Sequence, residues 1–351
     1  MAWSANMPKR VCGRRRTGKR RRTGNRRRKT GNIGTVSSPR LEWAVAGFLA
    51  AWAAARLTAA DRFRPLERAA VPLISFTPHA VAVAGLAALV LRRKGPSATA
   101  KVAGAALAAM VVPRAVRRRR SVAGGPVLRI LTVNLDHGQA AGAGLTGLVR
   151  RLQTDVLFLQ ELTEDAAMTL DAAGLSQLLP NKICDISGYR YRGSAIYARY
   201  PLRDGLAIGP SFASQPTAQL DFPCGWPTQL ICVHPHPPFP PWSLAAAPRW
   251  RKELAALPPP GDPPAILAGD FNASLDHAQF RRLLRMGYRD AACEVGHGLA
   301  PTWRPKANRC PALLTFDHVL IDPRCTVLTT STHQLPGTDH RAVYVELRLP
   351  A

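Results

Sequence analysis

Residues 264–272 read PAILAGDFN. A short apolar run that opens on proline and ends on a carboxylate and an amide describes a buried strand delivering polar groups at its tip. Six more stretches share that build: VLRILTVNL from Val127, DVLFLQE from Asp155, GSAIYAR from Gly193, QLICVHP from Gln229, DHVLID from Asp317 and RAVYVELRL from Arg341. Helical stretches such as Leu145–Leu152 and Ala278–Leu284 lie between them, and the Pro-rich segments 235–241 and 258–264 read as loops. Alternating strands and helices predict one α/β domain over residues 126–351, long enough to bury a large core.

Upstream the composition changes. Residues 1–125 hold 27 Lys+Arg and three acidic residues, Glu42, Asp61 and Glu67. Subtracting these from the 48 basic and 22 acidic residues of the chain leaves 21 and 19, so the α/β domain carries only +2 of the net +26. A nucleic-acid role therefore cannot be argued from total charge. Residues 14–32 repeat RRRTG-like units without one apolar side chain, so residues 1–40 are expected to form a disordered basic tail.

Three apolar stretches follow, at about 41–60, 69–91 and 97–116, then a linker at 117–125. The middle stretch has 23 residues without a formal charge, long enough at ~1.5 Å per residue to cross a bilayer core of roughly 30 Å. The third needs Lys101 and Arg114 to snorkel and is the weakest of the three. Two or three transmembrane helices are thus expected. The 13 basic residues between Lys9 and Lys29 place the N-terminus in the cytoplasm. Three crossings put the catalytic domain outside the cell, although Arg117–Arg120 oppose that topology; two leave it in the cytoplasm.

Six of the seven cysteines lie in the α/β domain without CxxC spacing, which argues against zinc and leaves disulfides open.

Polar clusters close most of the strands: Asn134, Glu161, His234 with His236, Asp270 with Asn272, Asp317, and Asp339 with His340. Each alone has an ordinary explanation, since strand-end Asn and Asp commonly cap turns. Together they form an oxygen-rich donor set of the kind Mg²⁺ or Mn²⁺ prefers, with imidazole beside it to move protons. His137 and His318 are ambiguous, His318 reading more as a packing residue.

The order N…QE…H…GDFN…DH…TDH resembles the endonuclease/exonuclease/phosphatase superfamily, which includes DNase I, and extends over Val127–Leu349. GSAIYARYPL and Pro301–Trp303 add to the likeness. The resemblance implies a four-layer α/β sandwich, two mixed β-sheets flanked by helices. It implies that Glu161 is the principal metal ligand, with Asn134 and Asp339 close to the metal. It further implies that Asp270 orients or deprotonates the attacking water, that Asn272 holds Asp270 and the phosphate, and that His340 pairs with Asp317. His234 matches a position that contacts the phosphate or assists the leaving group.

The chain also resembles the membrane-bound VanJ-type proteins of actinomycetes, linked to resistance to glycopeptides, teicoplanin in particular. That implies an extracytoplasmic phosphohydrolase acting on a lipid-linked or small phosphoester or pyrophosphate of the cell-wall cycle. A membrane-tethered DNase I-like nuclease is the alternative. It fits less well, because no dense basic patch with interleaved aromatics lies between the motifs.

Overall fold

In the computed structural model, residues 39–119, 123–186, 192–205, 208–209, 211–223, 226–238, 243–305 and 311–350 are described. The basic repeats, Arg120, Cys12, Cys224, Cys310 and the end of the 235–242 loop lie outside them. Residues 38–351 belong to one compact unit.

Four helices open the described chain: α1 (Pro39–Leu57), α2 (Arg64–Ser75), α3 (Thr77–Val90) and α4 (Lys94–Val111), the last continued by a tight turn at Val112–Ala115. The 69–91 stretch, expected as one straight crossing, is broken instead. α2 and α3 meet at Phe76 with a 73° bend. Pro78 supplies the cause, because it has no N–H to continue the helical ladder. α2 buries Glu67, Ala70, Val71, Ile74 and Ser75: Glu67, Val71 and Ser75 meet the α/β domain, whereas Ala70 and Ile74 pack on Ala60. Among the described residues, the third stretch, expected to be weakest, forms the one unbroken helix long and apolar enough to cross a membrane, Lys94–Ala115; the bent pair is a second candidate.

α1, α3 and α4 pack together around Leu49, Trp52, Leu107 and a set of alanines. At their far end the Arg93 amide donates to Glu42 Oε2 (3.1 Å). At the near end, Arg56 and Arg114 both reach Asp276 of the α/β domain.

The domain runs β1 (Val127–Asn134), α5 (Ala143–Arg151), β2 (Val156–Gln160), α6 (Glu164–Ala172), α7 (Leu175–Leu178), β3 (Asn181–Asp185), β4 (Ser194–Ala198), β5 (Leu202–Asp204), β6 (Thr217–Phe222) and β7 (Trp226–Val233). α8 (Ala246–Ala256), β8 (Ala265–Asp270), α9 (Ala278–Arg285), β9 (Arg289–Asp290), α10 (Ala291–Glu294), β10 (Asp317–Ile321), β11 (Thr326–Gln334) and β12 (Arg341–Arg348) complete it. One sheet has the order β11-β12-β1-β2-β4-β3 and the other β5-β6-β7-β8-β10-β9. Both are mixed: β1 with β2, and β7 with β8, are parallel, whereas the other pairs are antiparallel.

Strand periodicity fixes which residues meet between the sheets. Leu128, Ile130, Phe158, Ile266, Ala268 and Val319 fill the inter-sheet core. Leu131, Val133, Leu157 and Leu159 face the opposite way, among Leu145, Leu148 and Leu170 of the covering helices. Leu267 similarly meets Trp250, Leu254 and Phe280. Four layers result.

The parity that buries Ile130, Ile266 and Val319 between the sheets also sets Asn134, Asp270 and Asp317 on that inner side, at one end of the sandwich. Asp317 lies directly across from Asp270 in register. Cys184, Cys232, Cys293 and Cys325 are free thiols.

Candidate active site

Each sheet sends three groups to a common seam. Asn134 ends β1, Glu161 follows β2, and Asp339 with His340 precede β12. From the other sheet come His234 after β7, Asp270 at the tip of β8 and Asp317 at the start of β10. Glu161 and Asn272 both have positive φ (55° and 48°), a conformation costing non-glycine residues about 1–3 kcal/mol, held where the surroundings fix it.

Asn134 joins the two halves. Its Nδ2 donates to Glu161 Oε1 (3.1 Å) and to Asp270 Oδ2 (3.2 Å), while its Oδ1 accepts from the Asp136 amide (2.9 Å). The Asn272 amide donates to Asp270 Oδ1 (2.8 Å), and the Asn272 side chain donates to the Pro235 carbonyl (3.2 Å). Asp270 therefore has both oxygens directed.

His340 Nδ1 lies 2.9 Å from Asp317 Oδ2, leaving Nε2 3.8 Å from Asp270 Oδ2 and 3.9 Å from Asp339 Oδ1. Burial opposes a charge on this imidazole, but Asp317 and Asp270 outweigh it and raise His340 to about 10. Burial likewise raises Asp270, to about 7; His340 pulls it down and Asp317 pushes it up. The seam thus holds a cationic imidazole against a carboxyl that titrates near neutrality. His234 is kept neutral by burial; its Nε2 is 3.9 Å from Glu161 Oε1 and its Nδ1 has no partner among the described residues.

Two groups of donors could hold a cation. Ligand atoms of Asp136, His137 and Glu161 lie within 4.8 Å of one another, as do those of Asp270, Asp317 and His340. The first suits a hard divalent ion better, since Nδ1 of His340 is already engaged by Asp317. Asn134 turns its Nδ2 towards Glu161, while its Oδ1 is held by the Asp136 amide of the same group. Asp339 Oδ2 accepts from Trp303 Nε1 (3.1 Å), and its Oδ1 faces His340 Nε2.

Asp136, Thr302, Trp303 and Thr338 were not singled out for roles from sequence. Thr338 Oγ1 donates to the Asn134 carbonyl (2.9 Å) and accepts from the His340 amide (3.0 Å), tying the entry of β12 to the exit of β1. Thr302 Oγ1 accepts from the Phe316 and Asp317 amides (3.1 Å each). The Pro301–Trp303 motif and the threonine of GTDH were the available signals. His137 lies at the rim, its amide 2.8 Å from Glu161 Oε2. His318 packs instead between Asp290 (2.8 Å) and the Ala273 carbonyl (3.0 Å). The His236 ring rests against Phe212, centroids 4.2 Å apart.

Residues 131–340 match the family model described as "Endonuclease/Exonuclease/phosphatase family". Among solved structures, the chain is similar to a humanized D. rerio TDP2 (21% identity, 64% of this chain and 99% of that one, TM-score 0.49). It is similar also to an endonuclease/exonuclease/phosphatase from Beutenbergia cavernae (17%, 64% and 72%, 0.47) and an AP endonuclease from Archaeoglobus fulgidus (13%, 62% and 98%, 0.48). No curated protein sequence matches it.

Proposed function

The chain belongs to the Endonuclease/Exonuclease/phosphatase family, whose members hydrolyse phosphoester bonds, and we propose that it is a membrane-anchored, divalent-metal-dependent phosphohydrolase. Its substrate is a lipid-linked or small phosphoester or pyrophosphate of the cell envelope. The reading rests on one observation: Asn134 bridges Glu161 and Asp270, with the Asp317–His340 pair beside them.

Glu161 and Asn134 are the residues that would hold Mg²⁺ or Mn²⁺, with Asp136 and His137 alongside and Asp339 close by. The bound ion would neutralise phosphate charge and acidify a water. Asp270, directed by Asn134 and the Asn272 amide, takes the proton of the attacking water. Asn272 keeps that carboxylate in place. His340, held charged by Asp317, faces the oxygens on which negative charge grows. His234, neutral and buried, contacts the phosphate or the leaving oxygen.

Membrane attachment is supported by the inverted packing of the helical layer. Alanines Ala46, Ala80, Ala84, Ala87, Ala100 and Ala103 are inside, and a Cβ added at Gly104 would meet Ala84 at 3.0 Å. Of the 17 exposed large apolar side chains among the described residues, all but Met168, Leu244 and Leu299 lie between Leu41 and Val116. Small residues at helix contacts with large ones turned outward suit a lipid solvent. Among the described residues, Lys94–Ala115 and, taken together, the bent pair α2–α3 are long and apolar enough to cross a bilayer; an extracytoplasmic catalytic domain opposite a cytoplasmic tail is part of the same reading. The division into tail, transmembrane helices, linker and catalytic domain, and a VanJ-like part in teicoplanin resistance, belong to the same proposal.

The test is phosphate release from a polyprenyl diphosphate by the full chain in detergent with Mg²⁺. We expect turnover that is lost in Glu161→Gln and Asp270→Asn. Nicking of supercoiled DNA with no release from any lipid phosphate would overturn the substrate assignment.

A further inference from the structure

The helices and the catalytic loop are joined by a buried ionic knot. Asp276 is fully buried, and Arg56 and Arg114 are 5% and 8% exposed. Arg56 Nε lies 2.6 Å from Asp276 Oδ1, while Arg114 binds both carboxylate oxygens, at 2.6 and 2.8 Å. Arg56 comes from the last turn of α1 and Arg114 from the turn that ends α4, so one carboxylate ties two helices to the loop after β8.

That loop is short. It leaves Asp270, passes Asn272 and reaches Asp276 and His277 before α9 starts. Its far end is held at several further points. Asp61, between α1 and α2, accepts from the Ala278 amide (2.7 Å). His277 Nδ1 accepts from the Ser274 amide (2.9 Å), which assigns the ring proton to Nε2, facing the Val71 carbonyl of α2 (3.0 Å). Arg281 donates to the Arg56 carbonyl (3.1 Å). The near end is held by Trp250, which donates to the Phe271 carbonyl (3.1 Å). Nearly every directional contact of the far end therefore leads into the helices.

We propose that Asp276 is a positioning residue for the reaction, clamped by Arg56 and Arg114 so that the helical layer sets the place of Asn272 and, through its amide, of Asp270. The inference rests on the phosphohydrolase reading for its kinetic consequence only. Removing both arginines strands a buried carboxylate, whereas replacing all three ionic groups with apolar ones can restore stability. Anchoring and positioning therefore separate experimentally.

The experiment uses the full chain in detergent with Mg²⁺ and bis(p-nitrophenyl) phosphate, a water-soluble diester that makes no demand on lipid access. Mn²⁺ binding is followed by electron paramagnetic resonance, and amide exchange by mass spectrometry. In Arg56→Met/Arg114→Met we expect kcat to fall at least tenfold with KM within twofold. Mn²⁺ affinity should stay unchanged, and exchange over residues 271–278 should quicken at least tenfold while residues 127–134 keep their protection. The triple variant with Asp276→Leu should recover the melting temperature but not kcat, and Arg114→Lys should recover part of kcat. Wild-type kcat and wild-type exchange in the double variant would overturn the proposal. So would a triple variant in which kcat returns together with stability. Should the wild-type chain hydrolyse no phosphoester at all, the functional reading fails, and the exchange comparison still decides this one.

Discussion

The helical layer and the two-sheet domain obey opposite packing rules. In the domain, Leu128, Phe158, Ile266 and Trp250 are inside, and the surface is balanced in charge. In the helices a set of alanines is inside beside Leu49, Trp52 and Leu107, while Phe48, Leu86, Leu89 and Val102 are turned outward. Large apolar side chains turned outward are what the proposed lipid setting would favour, since in water the hydrophobic term works against exposing them. On that proposal each layer is matched to its own surroundings. Their contact joins a buried ionic knot at Asp276 to an apolar one at Val71, which packs among Trp250, Phe271 and Phe280.

The sharpest break between the two regions is catalytic. Glu161→Gln should lower kcat/KM by roughly 10³–10⁴-fold, about 4–5.5 kcal/mol of transition-state stabilisation. The helices should be untouched, as checked by steady-state kinetics beside circular dichroism. Next comes the core: Phe158→Ala should destabilise the domain by about 3–5 kcal/mol in denaturant titration, whereas Leu86→Ala, at a site 63% exposed, should cost far less. A third substitution asks what surrounds the helices. Leu86→Arg should disfavour membrane insertion by about 2.5–3.5 kcal/mol in a glycosylation-reporter assay if that face meets lipid, and should have little effect if it meets water.

The smallest effect is pH-dependent and belongs to the junction. Burial lowers the pKa of His277, so the unfolded chain takes up a proton near pH ~6.5 that the folded one refuses. Stability from this group is full above that value and declines as pH falls below it. Asp276 has the carboxylate sign. Burial alone would raise it, but Arg114 and Arg56 outweigh burial and hold it below its ordinary value. Its contribution is present above ~3.9 and lost as pH falls through the folded pKa. The unfolding free energy should therefore fall in two stages on acidification, each with a slope of at most about 1.4 kcal/mol per pH unit, and denaturant titration across pH checks it.

Much of the domain was legible because its strands are apolar runs that end on reactive groups. Every strand read from that pattern is present, as are the helices near 145–152 and 278–284. β11, TVLTTSTHQ, escaped because its polar threonines hide the strand pattern, and β9 because two residues carry no period. The site clusters could be named from strand tips and the His340–Asp317 pairing came with the resemblance, but the bridge of Asn134 to Glu161 and Asp270 could not be read. Only the register shows that Asp317 faces Asp270, and only the loop path turns Asp339 towards Trp303. The bend at Phe76 was masked by charge-free composition, which scores length and ignores Pro78. The knot at Asp276 was illegible, since Arg56 and Asp276 are 220 positions apart and nothing local marks either as buried.

The β8–β10 register has an evolutionary corollary. Because successive residues of a strand face opposite sides while residues paired across strands share one, deleting one residue inside β10 would turn the carboxylate opposite Asp270 to the outer layer and put Phe316 in its place. Length changes in this family member should stop short of Leu314, leaving the short strand that follows as rigid in length as it is in chemistry.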